Sequence, residues 1–225
     1  MIPEEVKAQI KPAKSALVLI DLQRRHMDPK VGYHLVHASM IEGVKNSAIK
    51  ALAAARAANM PVIHVHAFGR QPSPWGLVDH HNPFLDYQTG KMIPGMGAKR
   101  QSGKNLEGSI YAEPLPELAP VNGEPVVVKR RYSGFHQTDL ELILRNMGIE
   151  TLFVCGVNTN NCVLATTYDG FMRDFRMVVL ADCCGSMNGE EYHKFALMEV
   201  EAALGFVSSS DELAAFLASA PVAKA

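Results

Sequence analysis

Short, continuous apolar runs recur along the chain, and such runs predict strands that are buried on both faces of a sheet. They occupy residues 15–21, 62–66, 126–129, 151–155, 177–181 and 205–208. Stretches with helical character separate most of these runs, and strands that alternate with helices are typical of a doubly wound parallel sheet. The pattern therefore predicts a single α/β domain over residues 1–225, without an internal repeat.

Helical spacing is clearest over residues 41–59, where apolar side chains recur on or near one face. These side chains are Ile41, Val44, Ile49, Leu52 and Ala55. Thr138 with Glu141 predicts a capping box at the start of a later helix, and Gly148 predicts where that helix ends. Further helices are predicted to begin near Cys162, to run over about 190–203, and to begin at Ser210.

Other segments show neither a helical nor a strand pattern. Residues 1–14 are interpreted as a leader strand or loop, and residues 23–39 as a polar loop. Residues 68–115 are rich in Gly, Pro, His and Lys, and a loop this long within a compact domain is often functional. We interpret this excursion as a cover for the active site or as part of a subunit interface; the alternative is a disordered surface loop.

Composition narrows the classes of protein. The net charge is −1 and 48% of the residues are hydrophobic, so neither nucleic acid nor a membrane surface is expected as a partner. No apolar run approaches the roughly 20 residues of a membrane span, and the N-terminus lacks the regions of a signal peptide. A cytoplasmic protein is therefore expected, and its four cysteines are expected to be thiols. The cysteine spacing is not typical of a metal site, and no nucleotide-binding glycine motif occurs, so neither metal nor cofactor is expected.

Three reactive side chains stand at or just beyond the ends of predicted strands: Asp21, Lys129 and Cys162. In an open α/β sheet this edge is where ligands bind. Cys162 follows three helix-capping residues, so its thiol is expected in the first turn of a helix, where the helix dipole and a nearby Lys129 would lower its pKa. Asp21 would move protons between thiol, leaving group and water. Together they predict a cysteine hydrolase.

Each of these residues also has an ordinary structural interpretation. Cys162 could be a buried small hydrophobe, Lys129 a solvated lysine at a strand end, and Asp21 a loop or cap aspartate. No Gly-x-Ser-x-Gly motif indicates a serine esterase. His64 and His66 face one side of a strand and could bind a metal, although a half-buried strand pair is the commoner outcome.

Four segments resemble the isochorismatase-like cysteine hydrolases. They read LVLIDLQ over 17–23, VKRRYSGF over 128–135, CGVNTNNCV over 155–163 and VLADCCG over 179–185. The resemblance implies a Rossmann-like three-layer α/β/α fold with a six-stranded sheet, a triad of Asp21, Lys129 and Cys162, and a cis peptide bond between Val157 and Asn158. It also implies an oxyanion hole formed by the backbone N–H groups of Asn158 and Cys162.

Within this family, the segments around Tyr132 and Cys183 look closest to amidohydrolases of ureido compounds, and triuret or biuret hydrolysis is the preferred interpretation. Such substrates require polar partners, for which the candidates are Gln23, Tyr132, Asn158 and Glu201. The nicotinamidase metal motif is absent after the second strand. The resemblance further implies a homo-oligomer, a dimer or tetramer, with the excursion as its contact.

Several alternatives remain open. The chain could hydrolyse a vinyl ether, as isochorismatases do without a thiol nucleophile, or act on N-carbamoylsarcosine or ureidoacrylate. A non-catalytic binding protein on the same fold is a third reading. Arg24, Arg25 and His26 stand where the family often has Asn-Asp-Phe, so this wall of the pocket departs from the family pattern.

Overall fold

A computed structural model describes residues 2–75, 79, 82–95, 98–101 and 103–219. Six parallel strands form one sheet in the order β3-β2-β1-β4-β5-β6. The strands are β1 (Ser15–Ile20), β2 (Val62–Ala67), β3 (Val126–Lys129), β4 (Thr151–Val157), β5 (Arg176–Gly185) and β6 (Gly205–Ser208). The predicted six-stranded doubly wound sheet is confirmed, and β4 and β5 extend beyond the apolar runs that predicted them.

Eight α-helices connect or flank these strands within the described residues. They are α1 (Glu4–Lys7), α2 (Arg24–Met27), α3 (Ala38–Ala57), α4 (Pro83–Gln88), α5 (Leu140–Asn146), α6 (Leu164–Phe171), α7 (Glu190–Glu199) and α8 (Ser210–Ser219). Two π-helical turns, Thr159–Val163 and Val200–Leu204, precede α6 and follow α7. None of the helices described here combines the length and apolar character that crossing a membrane requires.

Successive side chains of each strand point to opposite faces of the sheet, and a layer of helices packs against each face. Phe153 of β4 packs against Phe216 of α8, with ring centroids 5.9 Å apart, and α8 packs beside α3. Met177 of β5 points to the other face, where its sulfur lies under Gly170 of α6. The sheet is therefore covered on both sides, which is why its strands are apolar at successive positions.

Helix α3 buries a stripe in which half of the residues are alanine. Ile41, Val44 and Leu52 are buried together with Ala48, Ala51 and Ala55, while Ile49 is only partly buried. The alanines allow the helix to approach the sheet closely, so the contact face differs slightly from the one predicted.

Three sequence-based expectations about local structure are wrong. The predicted loop over residues 23–39 contains the one-turn helix α2 and the first residues of α3. The first fourteen residues contain the one-turn helix α1 and a 3-10 turn, Pro12–Lys14, rather than a strand or open loop. The capping box is incomplete: the Thr138 hydroxyl accepts a hydrogen bond from the Leu140 N–H (3.3 Å), but Glu141 pairs with Arg173 (2.9 Å). Gly148 follows α5 with φ of 66°, as expected of a helix stop.

The excursion over residues 68–115 is tied to the sheet rather than loose. It contains α4, and its Leu106 forms a bridge with Gly69 just beyond β2. Near its end, the Glu113 carbonyl accepts a hydrogen bond from the Arg24 N–H (2.8 Å), and the Leu115 N–H donates to Leu22 (3.1 Å). The described part of the excursion therefore runs along the edge where β1 and β2 end.

Candidate active site

The carboxyl ends of β1, β3 and β4 bring the three predicted side chains together. Lys129 ends β3 and reaches back across β2 to Asp21, which follows β1: its Nζ lies 2.8 Å from Asp21 Oδ2. The same Nζ donates a hydrogen bond to Cys162 Sγ at 3.2 Å. Asp21, Lys129 and Cys162 are 0%, 1% and 7% exposed, so this group of charges lies almost entirely out of water.

Asp21 adopts a backbone conformation that is uncommon for residues other than glycine. Its φ is 52°, and such outliers cluster at functional sites because the surrounding structure must enforce them. Its N–H donates to the Val65 carbonyl of β2 (2.8 Å). Apart from the ion pair with Lys129 and the thiol of Cys162, neither carboxylate oxygen has a hydrogen-bonding partner in the part of the chain described here. The carboxylate is therefore able to accept a proton.

The ammonium group of Lys129 contacts a carbonyl oxygen, a thiol sulfur and a carboxylate. Besides Asp21 and Cys162, its Nζ donates to the Arg131 carbonyl (3.1 Å). Burial lowers the pKa of this ammonium, but the acidic groups of Asp21 and Cys162 outweigh burial and raise it overall. Lys129 is therefore a fixed positive charge at neutral pH.

Cys162 lies in the π-helical turn between β4 and α6, and such turns are frequent at functional sites. The pKa of its thiol is raised to about 12, because burial and the neighbouring Asp21 outweigh the lowering effect of Lys129. This direction is opposite to the expected lowering of the pKa, because desolvation disfavours the thiolate more than Lys129 favours it. Burial therefore favours the neutral thiol over the thiolate at this position.

The turn that carries Cys162 is held by hydrogen bonds with the loop after β5. The Val157–Asn158 peptide bond is cis, and Asn158 Oδ1 accepts a hydrogen bond from the Met187 N–H (2.6 Å). Asn160 accepts from the Ser186 hydroxyl (2.7 Å). The Asn158 carbonyl accepts from the N–H groups of Asn161 (3.0 Å) and Val163 (3.2 Å), so it engages the residues on either side of Cys162.

The four candidate substrate-binding residues lie in different environments. Asn158 is buried beside the nucleophile turn, and its side-chain oxygen is used by Met187. Gln23 is buried, but its amide braces the backbone: Nε2 donates to Ala112 (2.7 Å) and Oε1 accepts from Ala67 (3.0 Å). Tyr132 is half-exposed in the loop after β3. Gln23 thus braces the backbone, and its contact with substrate stays a prediction.

The placement of Glu201 contradicts its selection as a substrate-binding residue. It lies exposed in the π-helical turn after α7, just before Gly205 begins β6. Gly205 pairs with Met177 near the start of β5, which is the amino edge of the sheet. The triad lies at the carboxyl edge, and because a parallel strand separates the two edges, Glu201 cannot reach it.

The sequence reasoning missed Asn105, which lies in the excursion. Its Nδ2 donates to the carbonyl of Ala67, the residue that pairs with Lys129 in the sheet register. Its Oδ1 is buried and has no hydrogen-bond partner in the described part of the chain. A buried acceptor without a donor is uncommon and calls for an explanation such as a ligand or water. No periodic signal in residues 68–115 marks this asparagine.

The histidines of β2 have a structural explanation. His64 Nε2 lies 2.8 Å from Glu124 Oε2 near the start of β3, and Arg56 binds the same carboxylate from α3 at 2.8 Å. Burial lowers the pKa of His64 and lowers that of His66 to about 4. Among the residues described, no three side chains of His, Cys, Asp or Glu are grouped so that they could hold a metal ion.

Comparison with known proteins identifies a family whose members this chain resembles. Residues 15–212 match the family model described as the isochorismatase domain. A ureidoacrylate amidohydrolase RutB from Pseudomonas syringae pv. syringae (strain B728a) is 33% identical over 221 residues, covering 93% of this chain and 85% of that protein. A second RutB, from Azorhizobium caulinodans, is 31% identical, with coverage of 92% and 91%.

Solved structures agree in fold. A cysteine hydrolase from Pseudomonas syringae pv. phaseolicola 1448A superposes with a TM-score of 0.78 at 26% identity, covering 93% of this chain and 95% of that one. An N-carbamoylsarcosine amidase from Thermoplasma acidophilum superposes with a TM-score of 0.64 at 24% identity, with coverage of 88% and 97%. At that identity, the second likeness concerns the fold alone.

Proposed function

The chain belongs to the isochorismatase family of hydrolases, and from that premise we propose that it is a cysteine-dependent amidohydrolase of small ureido-type amides. The observation that carries the proposal is the position of Lys129, whose Nζ contacts both the Asp21 carboxylate (2.8 Å) and the Cys162 sulfur (3.2 Å). A merely structural lysine has no reason to hold a buried thiol and a buried carboxylate at once.

The first half of the reaction transfers the acyl group to sulfur. As Cys162 Sγ attacks the substrate carbonyl, the thiol proton moves to Asp21, which avoids a free thiolate whose pKa is about 12 in the resting protein. The C–S bond forms, and the carbonyl electrons move onto oxygen. Lys129 and the N–H groups of Asn158 and Cys162 stabilise this anion. Asp21 then protonates the nitrogen, the C–N bond breaks, and ammonia leaves.

The second half returns the enzyme to its starting state. Asp21 takes a proton from water, and the hydroxide attacks the thioester carbonyl. The C–S bond breaks, the acid product leaves, and Asp21 returns its proton to Cys162. No step requires a redox partner, and Lys129 keeps its proton throughout, consistent with its raised pKa.

Ureido substrates carry several N–H donors, so the pocket must offer acceptors. The Asn105 Oδ1 supports this substrate class because it is buried and unpartnered next to the end of β2. An unpaired group in a complex costs about 1–3 kcal/mol, which corresponds to a loss of roughly 5- to 150-fold in binding. Asn105→Ala is thus expected to raise KM at least about fivefold with little change in kcat, whereas the exposed Asn122→Ala is expected to change neither.

Triuret or biuret is the substrate that we propose first, from the resemblance of the strand-end segments. Ureidoacrylate is the second candidate, because the relatives named above are ureidoacrylate amidohydrolases at 31–33% identity. These candidates differ in charge, since ureidoacrylate carries a carboxylate and the other two are neutral. A preference between them is therefore measurable with one assay.

The test is ammonia release from triuret, biuret, ureidoacrylate, N-carbamoylsarcosine and nicotinamide, with isochorismate hydrolysis measured in parallel. Rapid release from one ureido compound that is lost in Cys162→Ser supports the proposal. Hydrolysis of isochorismate by both the wild type and Cys162→Ser, without ammonia from any amide, would instead support a vinyl ether hydrolase. Activity on none of these compounds would contradict the proposed substrate class.

A further inference from the structure

Part of the excursion connects two loops that follow strands of the sheet. Segments 90–95 and 98–101 lie antiparallel, joined by hydrogen bonds such as the one from the Ile93 N–H to the Ala98 carbonyl (2.8 Å). Ile93 is only 4% exposed, so this pair of segments packs into the protein instead of standing out from it. We call the two segments the excursion arm.

The excursion arm is attached to the protein at both of its ends. At one end, the Gln101 N–H donates a hydrogen bond to His34 Nε2 (3.0 Å) in the loop after β1. At the other end, the Pro94 carbonyl accepts a hydrogen bond from Asn188 Nδ2 (2.7 Å) in the loop after β5. Because β4 lies between β1 and β5 in the sheet, the arm connects the loops on either side of the strand that leads to Cys162.

Gly95 lies so close to Asn188 that a side chain would not fit between them. The φ of Gly95 is 79°, and a Cβ at this position would lie 2.0 Å from the Asn188 carbonyl oxygen. A larger residue would therefore push the excursion arm away from Asn188. The arm thus rests on Asn188 with backbone against backbone.

Asn188 also holds the turn that carries Cys162. Its Oδ1 accepts a hydrogen bond from Asn160 Nδ2 (3.1 Å), and its N–H donates to Ser186 Oγ (3.0 Å). The Ser186 hydroxyl donates to Asn160 Oδ1 (2.7 Å), so the loop after β5 holds both ends of the Asn160 amide. Asn160 stands two residues before Cys162 in the same π-helical turn. The side chain of Asn188 therefore contacts both the excursion arm and the nucleophile turn.

We propose that Asn188 is a positioning residue, which holds the Cys162 turn in the geometry for attack when the excursion arm rests on it. The inference rests on the proposed function, in which Cys162 Sγ is the nucleophile. A displacement of the reacting atoms by about 1 Å can lower a rate by roughly a hundredfold. Asn188 acts through Asn160, and Asn105, the proposed contact for substrate, is attached separately to Ala67. Loss of Asn188 should therefore slow acyl transfer without weakening the binding of substrate.

Two variants break the contact from opposite sides. Asn188→Ala removes both side-chain hydrogen bonds, and Gly95→Ala displaces the excursion arm without changing any residue of the loop after β5. Gly90→Ala is the matched control: its φ is 77°, so the backbone is strained to a similar degree, but its Cβ would have open space around it. Circular dichroism and Tm check the fold of all three variants.

The first readout is the rate of ammonia release in the first turnover, with the ureido compound that the wild type hydrolyses fastest. Asn188→Ala and Gly95→Ala are expected to lower this rate about fivefold or more, the factor that corresponds to the loss of one hydrogen bond. Their KM and the rate of Gly90→Ala should stay within about twofold of the wild-type values. First-turnover rates within about twofold of wild type in both contact variants would overturn the proposal.

The second readout needs no substrate, so it separates this inference from the proposed function. Iodoacetamide labelling at pH 7, located by peptide mass spectrometry, is expected to be about fivefold faster at Cys162 in both contact variants, because a displaced turn exposes the thiol. Labelling of Cys155, Cys183 and Cys184, which are also buried, should stay as slow as in wild type. Unchanged labelling of Cys162 would overturn the proposal, and so would equal gains at all four cysteines, which indicate a general loosening of the fold. A wild type that releases no ammonia, combined with a gain at Cys162 alone, would contradict the proposed substrate class and still support the role of Asn188.

Discussion

Replacing Lys129 with methionine is expected to destabilise the protein severely, because it leaves the Asp21 carboxylate buried without a counter-charge. Both side chains are at most 1% exposed, and their charged atoms lie 2.8 Å apart. Removing one partner of such a pair costs about 3–5 kcal/mol. For a chain of this length each kcal/mol lowers Tm by about 2–4 °C, so the expected decrease is roughly 6–20 °C.

If the uncompensated Asp21 charge causes the loss of stability, then neutralising Asp21 as well should restore part of that stability. In Asp21→Asn/Lys129→Met no uncompensated charge remains, so the double variant should be more stable than Lys129→Met alone by about 2 kcal/mol or more. Urea denaturation at pH 7, followed by circular dichroism, gives the free energy of unfolding for all four members of the cycle. All three variants should be inactive, so the cycle isolates the charge from the chemistry.

Two results would refute this reasoning. A Lys129→Met protein within about 0.5 kcal/mol of wild type would mean that the Asp21 charge is not confined at the site. A double variant destabilised by the sum of both single changes would mean that the two side chains do not interact. Either result would also remove the basis for proposing that Lys129 stabilises the oxyanion of the reaction.

Three further predictions follow from other parts of the molecule. Burial would raise the pKa of Glu124, but Arg56 and its other partners lower it from 4.5 to about 2. Its contribution to stability, at most about 3 kcal/mol, should be present above pH 4.5 and be lost between pH 4.5 and 2, and the acid unfolding curve of Glu124→Gln should lack this component. The Cys162 thiol, whose pKa burial raises to about 12, should react with iodoacetamide at pH 7 more slowly than a free thiol, and its rate should still rise above pH 10; a plateau below pH 7 would contradict this. Gly156→Ala should prevent correct folding, because φ is 135° and a Cβ would lie 2.0 Å from the Ile20 carbonyl oxygen; soluble, active Gly156→Ala protein would show that β4 can shift away from β1.

The sheet could be predicted from sequence because its strands are covered on both faces. Every residue of β1 is buried, and a continuous apolar run is typical of a strand that is buried on both faces. The meeting of Asp21, Lys129 and Cys162 followed from the same signal, since parallel strands end at one edge. These inferences required only the order of the strands and the residues that follow them.

Other features depend on contacts that leave no periodic pattern. The excursion is held by hydrogen bonds such as the one from Gln23 to Ala112, which joins positions far apart in sequence. Glu201 was misassigned because a helical pattern does not say at which edge of the sheet its last turn lies. The direction of the Cys162 pKa depends on its burial, and burial is set by the assembled fold rather than by its neighbours in sequence.

The central claim is that Cys162 forms a covalent bond with the substrate, and rapid-quench mass spectrometry tests it most directly. The enzyme is mixed with the amide that releases ammonia fastest and is quenched with acid within the first turnover. The account predicts an adduct equal to substrate minus ammonia on the peptide that contains Cys162, and none on Cys155, Cys183 or Cys184, which are also buried. Ammonia release in the first turnover with Cys162 unmodified at every time, together with full activity of Cys162→Ala, would contradict it.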